Sequence, residues 1–314
     1  MPRFGLQLAS FLEPDFFTRA TVSAATAEQA GFDSLWVMDH FHQLPPMMAR
    51  DAPMPEAYTT LAALAAVTER IELGALVTGI TYRNPALLAK MATTLDVISG
   101  GRAWLGVGAS WNEDEFHAYG FGDELPSIKE RLDRLEETLQ ILRGMMRETE
   151  SSFSGAYYRT RGALNIPPPV RDGGPPILIG GSGEKRLLKL VATYGDACNL
   201  FGDPATVRQK LEVLDQHCRA VRRDPEEIEG THLGGLVVGE NDADAAKIRE
   251  RFLSQSQVEP EFFDGFFTVG GPERVRDQVA ELIDAGLEHL MFFDLNGWEP
   301  EYVMRAGETL APLR

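Results

Sequence analysis

The apolar run Ser34-Leu35-Trp36-Val37-Met38 ends abruptly in an acid and an imidazole, Asp39 and His40, with a second imidazole at His42. A short apolar run bounded by polar residues reads as a buried parallel strand. Residues just past the end of such a strand stand at the face where α/β barrels place their chemistry. His40 is therefore a candidate general acid, or an anchor for a substrate atom that gains negative charge, and a hydrogen-bonded structural histidine is the competing assignment. His-x-His on an extended segment could also turn two imidazoles to one side of a metal. The later strand ends read Gly108-Ala109-Ser110-Trp111 and Gly180-Gly181-Ser182-Gly183, without the further His, Asp or Glu that a stable site demands, so no metal is expected.

Two further segments could hold a ligand. Ile177-Leu178-Ile179-Gly180-Gly181-Ser182-Gly183 runs into a helical stretch expected to begin at Glu184-Lys185-Arg186. Small residues between a strand and a helix let backbone N–H groups approach a phosphate at the positive helix end. The Gly-Lys-Ser/Thr ending of a nucleotide-hydrolysing loop is missing, and a tight turn without a ligand is the alternative. Gly106-Val107-Gly108-Ala109-Ser110-Trp111 starts like a dinucleotide fingerprint. Trp111 replaces the third glycine, and Asn112-Glu113-Asp114-Glu115 makes a poor helix start for a pyrophosphate. Gly108 and Ala109 instead leave room for a flat ring, with Asn112 available for hydrogen bonding.

The elements that must position these residues follow from eight short apolar runs, at 4–9, 34–38, 71–77, 103–109, 176–181, 197–201, 232–239 and 289–295. Each is followed by a stretch of helical character, the order of parallel strands with crossover helices, and eight units is the count of a closed (β/α)8 TIM barrel. Residues 127–147 put Ile128, Leu132, Leu135, Leu139 and Leu142 on one stripe, a packing helix. Pro85 and Pro272 open helices that stop at Gly100-Gly101 and Gly286. The α/β reading is a single domain over 1–314 with two insertions. Residues 149–170 read as a hairpin and an extended connection. Residues 240–268, the larger insertion, lie between strands seven and eight and end in Phe262, Phe263, Phe266 and Phe267. Those four rings are either a lid or dimer contact, or local core.

The chain has 314 residues, 44% of them hydrophobic and 25% charged, enough for a large core. A net charge of −17 disfavours nucleic acid and anionic lipid as partners. The two cysteines, Cys198 and Cys218, stand apart, no secretory leader opens the chain, and no apolar stretch is long enough to span a membrane. A cytoplasmic enzyme acting on a small molecule is the expectation.

Asp39-His40-Phe41, Leu73-Gly74-Ala75-Leu76-Val77-Thr78, Gly100-Gly101-Arg102 leading into Gly106 to Asn112, and Ile179-Gly180-Gly181-Ser182-Gly183 together resemble the luciferase-like monooxygenase superfamily, in its coenzyme F420-dependent oxidoreductase branch. The resemblance covers nearly the whole chain, through Gly270-Gly271-Pro272 and the final run. It implies a deazaflavin ring across the strand ends, with its phosphate at the fifth βα turn. Asp39 and His40 would then approach the ring, beside Leu76, Val77, Thr78, Gly108 and Ala109. Asn112 would hydrogen-bond the cofactor, Gly180, Gly181, Ser182 and Gly183 would meet the phosphate, and a non-proline cis peptide would join Leu76 to Val77. The implied chemistry is hydride transfer at the deazaflavin C5, with His40 handling the proton and Glu13 as a second candidate acid or base. Sugar-phosphate dehydrogenases of this superfamily carry an acid where this chain reads Ala109-Ser110-Trp111, and Trp111 suggests an apolar wall and a less polar substrate. The rival readings are an FMN-dependent monooxygenase or reductase, with a flavin reductase as partner in the first case, and a cofactor carrier without turnover. Members often pair, so a homodimer is expected.

Overall fold

The computed structural model describes residues 1–8, 15–295 and 299–314, so Glu13 and the end of the first run at Ala9 lie outside the described residues. The strands are β1 (Arg3–Leu8), β2 (Ser34–Val37), β3 (Glu72–Ala75), β4 (Thr78–Gly79), β5 (Ala103–Gly108), β6 (Glu150–Ser154), β7 (Arg159–Leu164), β8 (Ile177–Gly180), β9 (Ala197–Leu200), β10 (Glu229–Val238), β11 (Phe267–Gly270) and β12 (His289–Asp294). β1, β2, β3, β5, β8, β9, β10 and β12 pair in that order, all parallel, and β12 pairs back to β1. This closes an eight-stranded (β/α)8 barrel and leaves no stave with a bare edge.

The staves are buried on both faces, as parallel strands under helices must be. In β2, Leu35 and Val37 join the helix-facing core, and Trp36 points into the barrel to pack with Trp104, Leu178 and Met291. A β-carbon at Gly74 would lie 2.4 Å from Trp36 Cζ3, so that position must be glycine for the indole to fit.

Each expected run lands on a stave, with two revisions. The third run breaks: β3 stops at Ala75, the Leu76–Val77 peptide is cis, and the chain resumes as β4 against β5. The seventh begins three residues earlier than expected, at Glu229. Its first half pairs with β9 along one edge, and β11 takes over that edge from Gly235 onward.

The helices Pro85–Ser99 and Pro272–Asp284 start at their prolines, and Gly100 and Gly286 follow them at φ 66° and 104°. The helix Ile128–Arg147 is capped by Ser127 and buries Leu135, Leu139 and Leu142. The helix expected at Glu184 starts only at Leu187, because residues 184–186 form a turn in which the Gly183 carbonyl accepts from Leu188 N. β6 and β7 make the expected hairpin. In the larger insertion, helices Asp242–Gln255 and Pro260–Phe266 lead into β11, and Phe263 and Phe267 stack in the core with centroids 4.2 Å apart. Packing therefore accounts for those two rings, while Phe262 is exposed. Among the described residues no helix is long and apolar enough to cross a membrane.

Candidate active site

The C-terminal ends of the staves surround a cavity of about 420 Å³, within the range of small-molecule sites. Its wall brings together Asp39, His40, Leu76, Val77, Thr78, Gly108, Ala109, Trp111, Gly180, Gly181, Ser182 and Gly183, residues marked out by sequence from four separate staves. Ile128 and Leu132, expected only to pack, also line it, as do Ser110, Asn199, Phe201 and Leu233.

His40 is fixed by a carboxylate. Its Nδ1 lies 2.7 Å from Glu115 Oε2, which also accepts from the Tyr82 hydroxyl at 2.7 Å. Glu115 Oε1 accepts from the amides of Phe41 (2.5 Å) and His42 (3.3 Å). The carboxylate is fully buried. Burial alone would raise its pKa, but the hydrogen bond and charge of His40, the Phe41 amide and Tyr82 hold it below the usual carboxylate range. An ionised carboxylate only accepts, so Nδ1 carries the His40 proton. Nε2, with no partner among the described residues, is the nitrogen left to the cavity. Tyr82 stays protonated, because burial and the hydrogen bond to Glu115 push its hydroxyl upward.

Asp39 is occupied otherwise. Its two oxygens accept from Arg83 at 2.6 and 2.8 Å, and one also accepts from Gly79 N at 3.2 Å. Burial pushes its carboxyl above the ordinary value against the opposing pull of Arg83, and the guanidinium is in turn held above its usual range by Asp39 and Glu56. The pair ties the end of β2 to β4 behind His40. His42 departs from His40: its Nδ1 faces the Gln43 carbonyl and its Nε2 lies 3.2 Å from Asp114, so the two imidazoles serve different partners.

The opposite wall suits a flat ring with an anionic tail. Val77 fills the space between two strand ends, and a β-carbon would come within 2.8 Å of it at Gly108 and 2.9 Å at Gly180. The backbone past Gly180 swings open through Gly181 at φ 130°. Gly181 N is already given to the Asn199 carbonyl at 3.2 Å. The exposed Ser182 and Gly183 have amides with no partner among the described residues, so they are the donors left for a phosphate. Asn112 does not line the cavity. Its side-chain oxygen caps the helix Glu113–Ala118 at Glu115 N, 3.2 Å away, and so supports the carboxylate that holds His40.

The family model described as luciferase-like monooxygenase matches residues 9–259. The chain belongs to the luciferase-like monooxygenase family. A relative from Nocardia farcinica named F420-dependent glucose-6-phosphate dehydrogenase is 30% identical over 86% of this chain and 85% of its own. Two solved structures share the luciferase-like fold. One is an F420-dependent secondary alcohol dehydrogenase in complex with an F420-acetone adduct (TM-score 0.84, 22% identity, 100% and 99% of the two chains). The other is the oxygenating constituent of 3,6-diketocamphane monooxygenase from Pseudomonas putida in complex with FMN (TM-score 0.76, 18% identity, 99% and 98%).

Three residues of this luciferase-like site were not marked out by sequence. Glu115 sits in a run of polar residues that reads as a solvated helix start, and its signal is the spacing Asn112-x-x-Glu115, which places it in a first helical turn. Tyr82 and Arg83 lie between β4 and the helix Pro85–Ser99, where nothing local marks them as buried partners.

Proposed function

We propose that this protein is a coenzyme F420-dependent oxidoreductase that transfers a hydride between the deazaflavin and a small organic substrate. The observation that carries the reading is that one cavity is lined both by an imidazole with one nitrogen unpartnered among the described residues and by a turn with two amides likewise unpartnered among them. Its support from relatives is that the curated sequences at 26–31% identity are named as F420-dependent dehydrogenases. Bound F420 would supply the hydride chemistry at its C5. Ser182 and Gly183 would hold its phosphate, and Leu76, Val77 and Ala109 would back its ring. In alcohol oxidation His40 Nε2 accepts the hydroxyl proton, and in carbonyl reduction it returns one. Glu115 keeps the Nδ1 proton in place, and Trp111, with its ring 5.7 Å from that of His40, closes the side of the imidazole. A cytoplasmic homodimer belongs to the same proposal, and light scattering checks its stoichiometry.

Fluorescence titration of the purified chain with F420 and, separately, with FMN tests the cofactor. Saturable F420 binding is expected, and tight FMN binding without F420 binding overturns the proposal in favour of a flavin enzyme.

A further inference from the structure

We infer that the substrate is an uncharged, mainly apolar alcohol or carbonyl compound, and not a sugar phosphate. The inference rests on the F420 reading of the site and names the substrate class within it. Among the described residues that line the cavity there is no Lys or Arg. The two segments outside the description, 9–14 (Ala-Ser-Phe-Leu-Glu-Pro) and 296–298 (Asn-Gly-Trp), contain no Lys or Arg in their sequence. The apolar side chains of the lining include Trp111, Ile128, Leu132, Phe201 and Leu233.

The cations adjoining the wall in sequence are mostly committed elsewhere. Arg83 serves Asp39 and Glu56, Arg131 serves the carbonyls of Ser110 and Pro126, and Arg186 and Lys129 share Asp133. Lys185 is exposed beside the glycine turn, on the side assigned to the cofactor's own phosphate. The loop beyond Phe201 carries an acid, Asp203, which hydrogen bonds from Thr206 keep below the usual carboxylate range. A phosphate dianion entering this space would lose water without gaining a counter-charge, against the field of a chain of net charge −17. A neutral apolar molecule gains from the same wall, and its single oxygen finds His40 Nε2. The chain would thus differ in substrate from relatives whose name specifies glucose 6-phosphate, even if it shares their cofactor.

F420 binding by fluorescence quenching is measured first, and its failure removes the oxidoreductase reading itself. On F420-loaded protein, ligand-induced shifts in melting temperature then compare neutral cyclic alcohols, cyclopentanol to cyclooctanol, with glucose 6-phosphate and cyclohexyl phosphate. The best neutral ligand is expected to half-saturate at a concentration at least ~10-fold lower than either phosphate, a difference of about 1.4 kcal/mol. Ile128→Lys and Trp111→Arg each add a cation at exposed positions of the wall and are expected to improve phosphate binding by roughly fivefold or more. Ile128 is 58% exposed, so its replacement leaves the core untouched. Given F420 binding, the inference is overturned by glucose 6-phosphate binding as tightly as the alcohols, by no neutral ligand binding, or by both variants leaving phosphate binding unchanged.

Discussion

The barrel holds a histidine near a carboxylate at each end, and the two arrangements do opposite things. At the top, His40 sits on Glu115 with Nε2 left to the cavity. At the bottom, His289 is fully buried at the start of β12, with Nε2 2.7 Å from Ser34 Oγ and Nδ1 3.7 Å from Glu229. Ser34 Oγ also accepts from Trp36 Nε1 at 2.7 Å, Glu229 and Glu72 both hold Arg3, and Trp104 Nε1 donates to Glu72 at 2.7 Å. The lower network joins the starts of six staves, and the nitrogen it leaves over, His289 Nδ1, has no hydrogen-bond partner among the described residues and is buried within the barrel. The upper one leaves one nitrogen over, at the end of the barrel where loops open a cavity. Residue type is the same in both, and each leaves one nitrogen over; what separates structure from chemistry is that His40 lines the cavity whereas His289 is fully buried.

The largest expected effect tests the upper end. His40→Asn should lower kcat/KM by about 10²–10⁴-fold, with F420 affinity and melting temperature close to the parent's. Parallel loss of F420 binding would make His40 part of the cofactor's cradle and dissolve the contrast. Glu115→Gln comes next. The amides of Phe41 and His42 can only donate, so the new side chain must turn its oxygen toward them and its NH₂ toward His40 and Tyr82. His40 Nδ1 then becomes an acceptor and Nε2 carries the proton. Turnover should fall roughly 100-fold, with kcat affected more than KM, and the ring ¹⁵N shifts of His40 should report the exchanged tautomer. Unchanged shifts would show that Glu115 does not set the tautomer.

At the lower end, His289→Leu should reduce stability in urea by about 1–3 kcal/mol, the penalty of an unsatisfied buried partner, while turnover of the folded protein is retained. A fall in turnover with stability unchanged would reverse the roles of the two ends. The smallest effect concerns a third imidazole. His232, buried on β10 with Nδ1 unpartnered among the described residues, has its pKa lowered from 6.5 to about 4 by burial, although the Gly202 carbonyl at 3.2 Å pulls the other way. Between those values the unfolded chain binds more protons than the folded one, so stability is lost as pH falls from 6.5 toward 4, at about 1 kcal/mol over the first unit. His232→Asn should remove that share and narrow the difference in urea midpoint between neutral pH and pH ~5.5. An unaltered difference would mean that His232 titrates alike in both states.

Much of the scaffold was legible because its signals are local. Short apolar runs such as Ile177-Leu178-Ile179 mark staves wherever they occur, and Pro85, Gly100, Pro272 and Gly286 mark helix ends through backbone conformation alone. The clustering of His40, Gly108, Trp111 and Gly180 at one face followed from their common position at strand ends. The interruption of the third stave at Leu76–Val77 has no comparable local mark and entered only through family resemblance. The late start of the helix at Leu187 escaped because Glu184-Lys185-Arg186 has ordinary helical composition.

The sequence by itself determined how many staves there are, their parallel order and which small residues end them, because strand and helix periodicities are written within a few residues. Only the tertiary structure decided which charges are buried and what they hold. Glu113, Asp114 and Glu115 are adjacent acids, yet the first two are exposed, and the third is turned inward onto His40, 75 positions earlier in the chain. Asp39 likewise became an anchoring partner once Arg83, 44 positions later, was folded against it. A carboxylate's burial and its partners are properties of the closed barrel, and no local pattern encodes them.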